Sequence, residues 1–118
     1  MEQVDMSKLD FVETDFEDLS CHTGATFNYD LLVTQQCSGL PNNLAGYTAR
    51  MVIFDELESV VIDTITGTIA TPTNGTINFN IPATTTENYT IGLYLYHLEL
   101  LISSTVTRLG QGFFEVTA

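Results

Sequence analysis

Between Thr76 and Ile81 the chain runs Thr-Ile-Asn-Phe-Asn-Ile, polar on one parity and apolar on the other. A two-residue period of this kind places one face of a strand on a core and the other in water, and a helix does not satisfy it. The same period returns three times. Phe27, Tyr29, Leu31 and Val33 share a parity, with Asn28 and Asp30 between them. Ala49, Met51 and Ile53 alternate with Thr48, Arg50 and Val52, and Tyr94, Tyr96, Leu98 and Leu100 alternate with Leu95, His97, Glu99 and Leu101. A total of 18 Thr residues, few Ala and a single Lys favour strands over helices in the same direction.

Turn signals separate these runs. Ser38 to Gly46 is a loop rich in Gly, Pro and Asn, and Asn74-Gly75 suits the two positive φ values of a type I′ hairpin turn. Pro82 ends a strand because it has no amide hydrogen to give to a ladder, and Ala83 to Glu87 suits one short helical turn. Gly110 and Gly112 point to a bulge or bend in the last strand. Seven or eight short strands at this spacing predict an all-β fold, an antiparallel β-sandwich over residues 16–118.

The length of 118 residues corresponds to one domain with a self-sufficient core, and 44% hydrophobic against 15% charged residues excludes a charge-solvated disordered chain. The formal net charge is −12, with only Lys8, Arg50 and Arg108 as fixed cations. Three scattered cations cannot track a phosphate backbone or an anionic bilayer, so neither nucleic acid nor a membrane is expected as partner. Gly92, His97 and Glu99 interrupt the longest apolar region, Ile91 to Ile102, so no transmembrane helix is expected. Met1 to Asp5 has neither the positive charge nor the apolar stretch of a signal peptide, which leads us to expect synthesis in the cytoplasm. Cys21 and Cys37 make no disulfide framework and read as small buried hydrophobes.

Residues 1–15 stand apart as an acidic N-terminal arm, with five acids and one Lys, a net −4, against −8 for ten acids and two Arg in residues 16–118. Leu9, Val12, Phe16 and Leu19 follow one another at helical spacing. Two readings stand side by side: a weakly ordered acidic terminus, or an arm whose Leu9, Phe11 and Val12 dock on a neighbouring subunit.

Chemistry-bearing constellations are sparse. There is no Gly-x-Ser-x-Gly elbow, and the two histidines, His22 and His97, have no Ser or Cys at a spacing that marks a nucleophile pair. His97 reads as an outward strand residue near Glu99. A zinc quartet of Cys21, His22, Cys37 and His97 is awkward because neighbours in a strand point to opposite faces. The acidic stretch Asp55-Glu56-Leu57-Glu58 lacks the spacing of a calcium loop and reads as a solvated hairpin turn. Arg50 is expected to pair with Glu99 or Asp63. No enzymatic activity, cofactor or metal is expected.

The run Gly24-Ala25-Thr26-Phe27, followed by Gly39-Leu40-Pro41-Asn42-Asn43-Leu44-Ala45-Gly46-Tyr47-Thr48-Ala49-Arg50-Met51, resembles a module of tailed-bacteriophage virion proteins. Asn74-Gly75-Thr76-Ile77, Gly92 to Leu100 and Val106-Thr107-Arg108-Leu109 fit the same pattern. That module is similar to the N-terminal immunoglobulin-like domain of phage baseplate upper proteins, and the resemblance covers residues 16–118. One departure is His97, where the family usually has Asp, and no receptor-binding extension is expected after Ala118. The resemblance implies an immunoglobulin-like sandwich and a non-enzymatic, multi-copy virion protein. Such a protein would be an adaptor on the tail, neck or baseplate, docked on tail, neck or major capsid proteins and homo-oligomeric on the particle. A capsid decoration protein and a host-surface or glycan-binding module are the alternatives. Leu40, Pro41, Asn42 and Asn43, in the loop before the Gly-Tyr-Thr-Ala-Arg run, join Leu9, Phe11 and Val12 as expected partner contacts.

Overall fold

Each alternating run becomes a strand. The computed structural model describes residues 18–34, 40 and 43–118. Seven strands form among them: β1 (Leu19–His22), β2 (Phe27–Leu32), β3 (Thr48–Phe54), β4 (Val61–Gly67), β5 (Thr76–Ile81), β6 (Gly92–Ile102) and β7 (Thr105–Thr117). A 3-10 turn at Pro72–Asn74 and a single helical turn, α1 (Ala83–Thr86), are the other regular elements.

Five strands make one sheet in the order β1-β7-β6-β3-β4, and β2 pairs with β5 in a second sheet. In chain order this gives the immunoglobulin arrangement, with strands G, F, C and C′ side by side and B and E opposite. The ladders are antiparallel except for β1, which runs parallel to β7 with Leu19 opposite Phe114 and Cys21 opposite Val116. That parallel edge departs from the purely antiparallel expectation. Leu19 sits in a strand, with Leu19 and Cys21 turned inward and Ser20 and His22 outward, while Leu9, Val12 and Phe16 of the same spacing lie outside the described residues.

The core lies between the sheets. Met51, Ile53, Ile77, Phe79, Ile81, Leu98 and Phe114 are completely or almost completely buried there. Phe114 meets Phe27 edge-on at 5.2 Å between ring centroids, and Tyr89 at 6.5 Å. Such edge-to-face pairs add about 0.5–1.5 kcal/mol beyond area burial. Gly67 lies where the two sheets press together. A Cβ there would lie 2.8 Å from both Ile77 and Phe79, so only glycine lets β4 cross over β5.

Turn chemistry explains most connections. Gly46 takes φ +84° where the chain enters β3. Ile81 is the last residue of β5, and Pro82 then caps α1. The Thr86 hydroxyl, fully buried, donates to the Ala25 carbonyl at 2.8 Å and ties α1 to the turn after β1. In β7 the register slips between Gly110 and Arg108, so Leu109 is the extra residue of a bulge beside the expected glycine. Asn74-Gly75 does not form a type I′ turn: Gly75 is left-handed at φ 68° but Asn74 closes the 3-10 turn. The reason is topological, since β4 and β5 belong to different sheets and a two-residue hairpin cannot join them. The unforeseen tight turn is Ser103-Ser104 between β6 and β7, with Ser103 at φ 52°.

Candidate functional site

Cross-strand register arranges the outer face of the large sheet in rows. Phe113, Leu95, Phe54 and Val61 lie opposite one another across β7, β6, β3 and β4. The next row is Gln111, His97, Val52 and Thr64, and the third is Arg108, Glu99, Arg50 and Thr66. A face turned only to water would carry polar residues in all three rows. Here the first row is apolar, and Phe113 is 45% and Leu93 40% exposed.

The β3–β4 hairpin folds over part of this face. Asp55 accepts hydrogen bonds from the amides of Ser59 (2.7 Å) and Val60 (3.1 Å) and from the Ser59 hydroxyl (2.6 Å). These three bonds hold its carboxyl below the usual carboxylate range, the Ser59 hydroxyl contributing most. The closed turn leaves Glu58 at φ 57°, and Glu58 Oε2 lies 2.6 Å from His97 Nε2. The imidazole also packs against the Phe54 ring, tilted 53° to it with centroids 4.6 Å apart. His97 is therefore buried, which corrects its reading as a simple outward strand residue. Its alternation parity is outward, but the hairpin covers it.

Between that hairpin and β1 runs a groove of about 320 Å³, with Leu95 and His97 on its floor, Phe113 and Gln111 along one wall, and Asp18 and Glu58 at its rim. Asp18 accepts a hydrogen bond from the Phe113 amide at 3.4 Å, which places the carboxylate beside the exposed ring. No Lys or Arg lines the groove among the described residues. The two Arg of the sheet lie further along: Arg50 Nε donates to Glu99 Oε1 at 2.5 Å, and Arg108 Nη1 donates to Gln111 Oε1 at 2.9 Å. Asp63, the other expected partner of Arg50, instead accepts the Tyr89 hydroxyl at 2.6 Å. Burial and this carboxylate push the Tyr89 phenol well above its ordinary range.

The expected contact residues are distributed differently. Leu40 is 60% exposed, and Asn43 spends its side-chain oxygen locally, accepting from the Ala45 amide at 3.0 Å. Leu9, Phe11, Val12, Pro41 and Asn42, like Cys37, lie outside the described residues. Cys21 faces the core, where burial raises its thiol, while His22 turns outward to Thr117 and His97 sits on the far side of β7. Cys21, His22 and His97, three of the four residues weighed and set aside as a zinc quartet, do not converge. Sequence reasoning missed the groove, although Leu95 on the outward parity of β6 and Phe113 opposite it in β7 are its signature.

No protein-family model matches the sequence, and no curated protein does either. Solved structures do match, 18 chains in all. One is the N-terminal domain of phage TP901-1 ORF48, with a TM-score of 0.58 and 10% sequence identity, covering 90% of this chain and 91% of that one. The two share a fold. At that identity the likeness is one of architecture, and it agrees with the immunoglobulin-like sandwich and the phage module that the sequence resembles.

Proposed function

We propose that the chain is a non-enzymatic structural protein of a phage virion, present in several copies and docked on other virion proteins. The observation that carries this reading is the fold shared with a phage protein domain over nine-tenths of both chains. The position we favour is the tail, neck or baseplate, where a small sandwich acts as an adaptor between larger parts. The outer face of the large sheet supports docking, because it leaves Phe113, Leu93 and Val61 partly in water around a groove. A strongly acidic surface steers encounters with basic partners and discourages self-association in solution.

Residues 1–15, with Leu9, Phe11 and Val12, provide a second contact in this reading, reaching a neighbouring subunit. Mass spectrometry of purified particles tests the proposal first: the chain is expected among the virion proteins in multiple copies, and its absence sinks the reading. Immunogold labelling then separates tail from head, and labelled heads would favour shell decoration. Deleting residues 1–15 is expected to lower incorporation into particles; unchanged incorporation removes the arm from the account.

A further inference from the structure

The groove beside Phe113 combines two properties that seldom occur together on a solvated sheet. Leu95 on its floor and Phe113 on one wall are apolar, and its rim carries carboxylates with no Lys or Arg lining the groove among the described residues. Asp18 stands at one end and Glu58 at the other, and Glu115, opposite Leu93 in the register, adds a third carboxylate to the same face. Glu58 is held in place by His97, and Asp18 by the Phe113 amide, so the carboxylates are positioned rather than free to swing away. A partner that buries the apolar floor must bring these carboxylates out of water, which is costly unless it supplies opposite charge.

Resting on the virion-protein reading above, we infer that this groove receives a segment of a different virion protein, an apolar side chain flanked by Lys or Arg. A second copy of this chain does not fit. It carries 15 acids and three cations, and of these cations Arg50 is taken by Glu99 and Arg108 by Gln111. Residues 1–15 do not fit either, because they bring five acids and one Lys to a rim that is already negative. The apolar side chain enters against Leu95 and Phe113. Its basic neighbours reach Asp18 and Glu58, which gives orientation and a fast, salt-sensitive encounter.

Photo-crosslinking in assembled particles tests this directly. Phe113→p-benzoylphenylalanine places the reactive ketone at the groove without altering the core face of β7. The expected product links this chain to another virion protein, at a peptide containing an apolar residue flanked by Lys or Arg. A link to a second copy, to residues 1–15, or to an uncharged or acidic segment overturns the inference, as does incorporation without any cross-link at this site. Absence of the chain from particles instead defeats the virion reading itself.

A charge variant gives an independent arm. D18N/E58Q/E115Q is expected to lose about tenfold against the wild-type chain in competitive incorporation, while N80A on the opposite sheet competes equally. Equal competition by the triple variant overturns the inference. If thermal unfolding shows the triple variant unstable at the assay temperature, D18N/E115Q, which keeps the Glu58–His97 contact, decides in its place.

Discussion

The two sheets turn very different outer faces to their surroundings. On the β2–β5 sheet, Asn78 Nδ2 donates to Asn28 Oδ1 at 2.8 Å and to Asp30 Oδ1 at 2.6 Å, and Asn80 adds a longer bond to Asn28 at 3.4 Å. Apart from Leu32, 56% exposed at the end of β2, the outward side chains there are short and polar, and Asn28, Asp30, Asn78 and Asn80 bond to one another, the chemistry of a face built to stay wet. The β1-β7-β6-β3-β4 sheet has an apolar row and a groove, beyond which lies one ion pair. Both sheets contribute buried apolar residues to one core, so folding does not require this difference. On the reading proposed above, it singles out the large sheet as the contact surface.

Core replacements set the scale for this comparison. Phe79→Ala removes a fully buried ring from between the sheets and is expected to cost about 3–5 kcal/mol in chemical denaturation. A loss below about 1 kcal/mol would mean that the sheets do not share one core. Arg50→Ala comes next. It strands the Glu99 carboxylate, 12% exposed, without its guanidinium, but Arg50 itself is 38% exposed and solvent screens the pair. A loss of about 1 kcal/mol is expected, and replacing both residues by apolar ones of similar volume should recover most of it.

Asn78→Ala breaks the polar ladder of the small sheet and is expected to cost about 0.5–1 kcal/mol with no change in incorporation. Phe113→Ser, on the large sheet, reverses that pattern: stability within about 0.5 kcal/mol of wild type, and incorporation strongly reduced. If the two variants behaved alike, the faces would not differ in role.

The smallest effect is one of pH. Asp55, whose folded-state pKa lies below its ordinary 3.8, favours the folded state when ionised. Its contribution is present above that ordinary value and is lost as pH falls through the lower, folded one. Asp55→Asn is therefore expected to flatten the acid limb of the stability profile. It should also loosen the hairpin that carries Glu58, visible as a changed His97 signal in NMR.

Much of this was legible in the residues. Thr76 to Ile81 and Phe27 to Val33 pair in register as alternation demands, with Ile77 opposite Leu31 and Phe79 opposite Tyr29. Two-residue period, Pro82 and the glycines near Leu109 were sufficient for strands, strand ends and the bulge. Other features escaped for identifiable reasons. Asn74-Gly75 carries local hairpin chemistry, but sheet membership is set by distant contacts: β5 pairs along its length with β2 and meets the chain leaving β4 at the Thr68–Asn78 bridge. The Ser103-Ser104 turn carries no Gly or Asn, so its positive φ leaves no composition signal. His97 and Glu99 sit on an outward parity yet are buried, because the Asp55–Val60 turn and Arg50 cover them, and neither contact is local in sequence.

The central claim is that this molecule joins a virion through the outer face of its large sheet. A cryo-EM map of the assembled particle tests it most directly. The account predicts a different virion protein seated over Leu95 and Phe113, with a Lys or Arg beside Asp18 or Glu58, while Asn28, Asp30, Asn78 and Asn80 face solvent. A map with the groove open to solvent and the small sheet buried against a partner would contradict it.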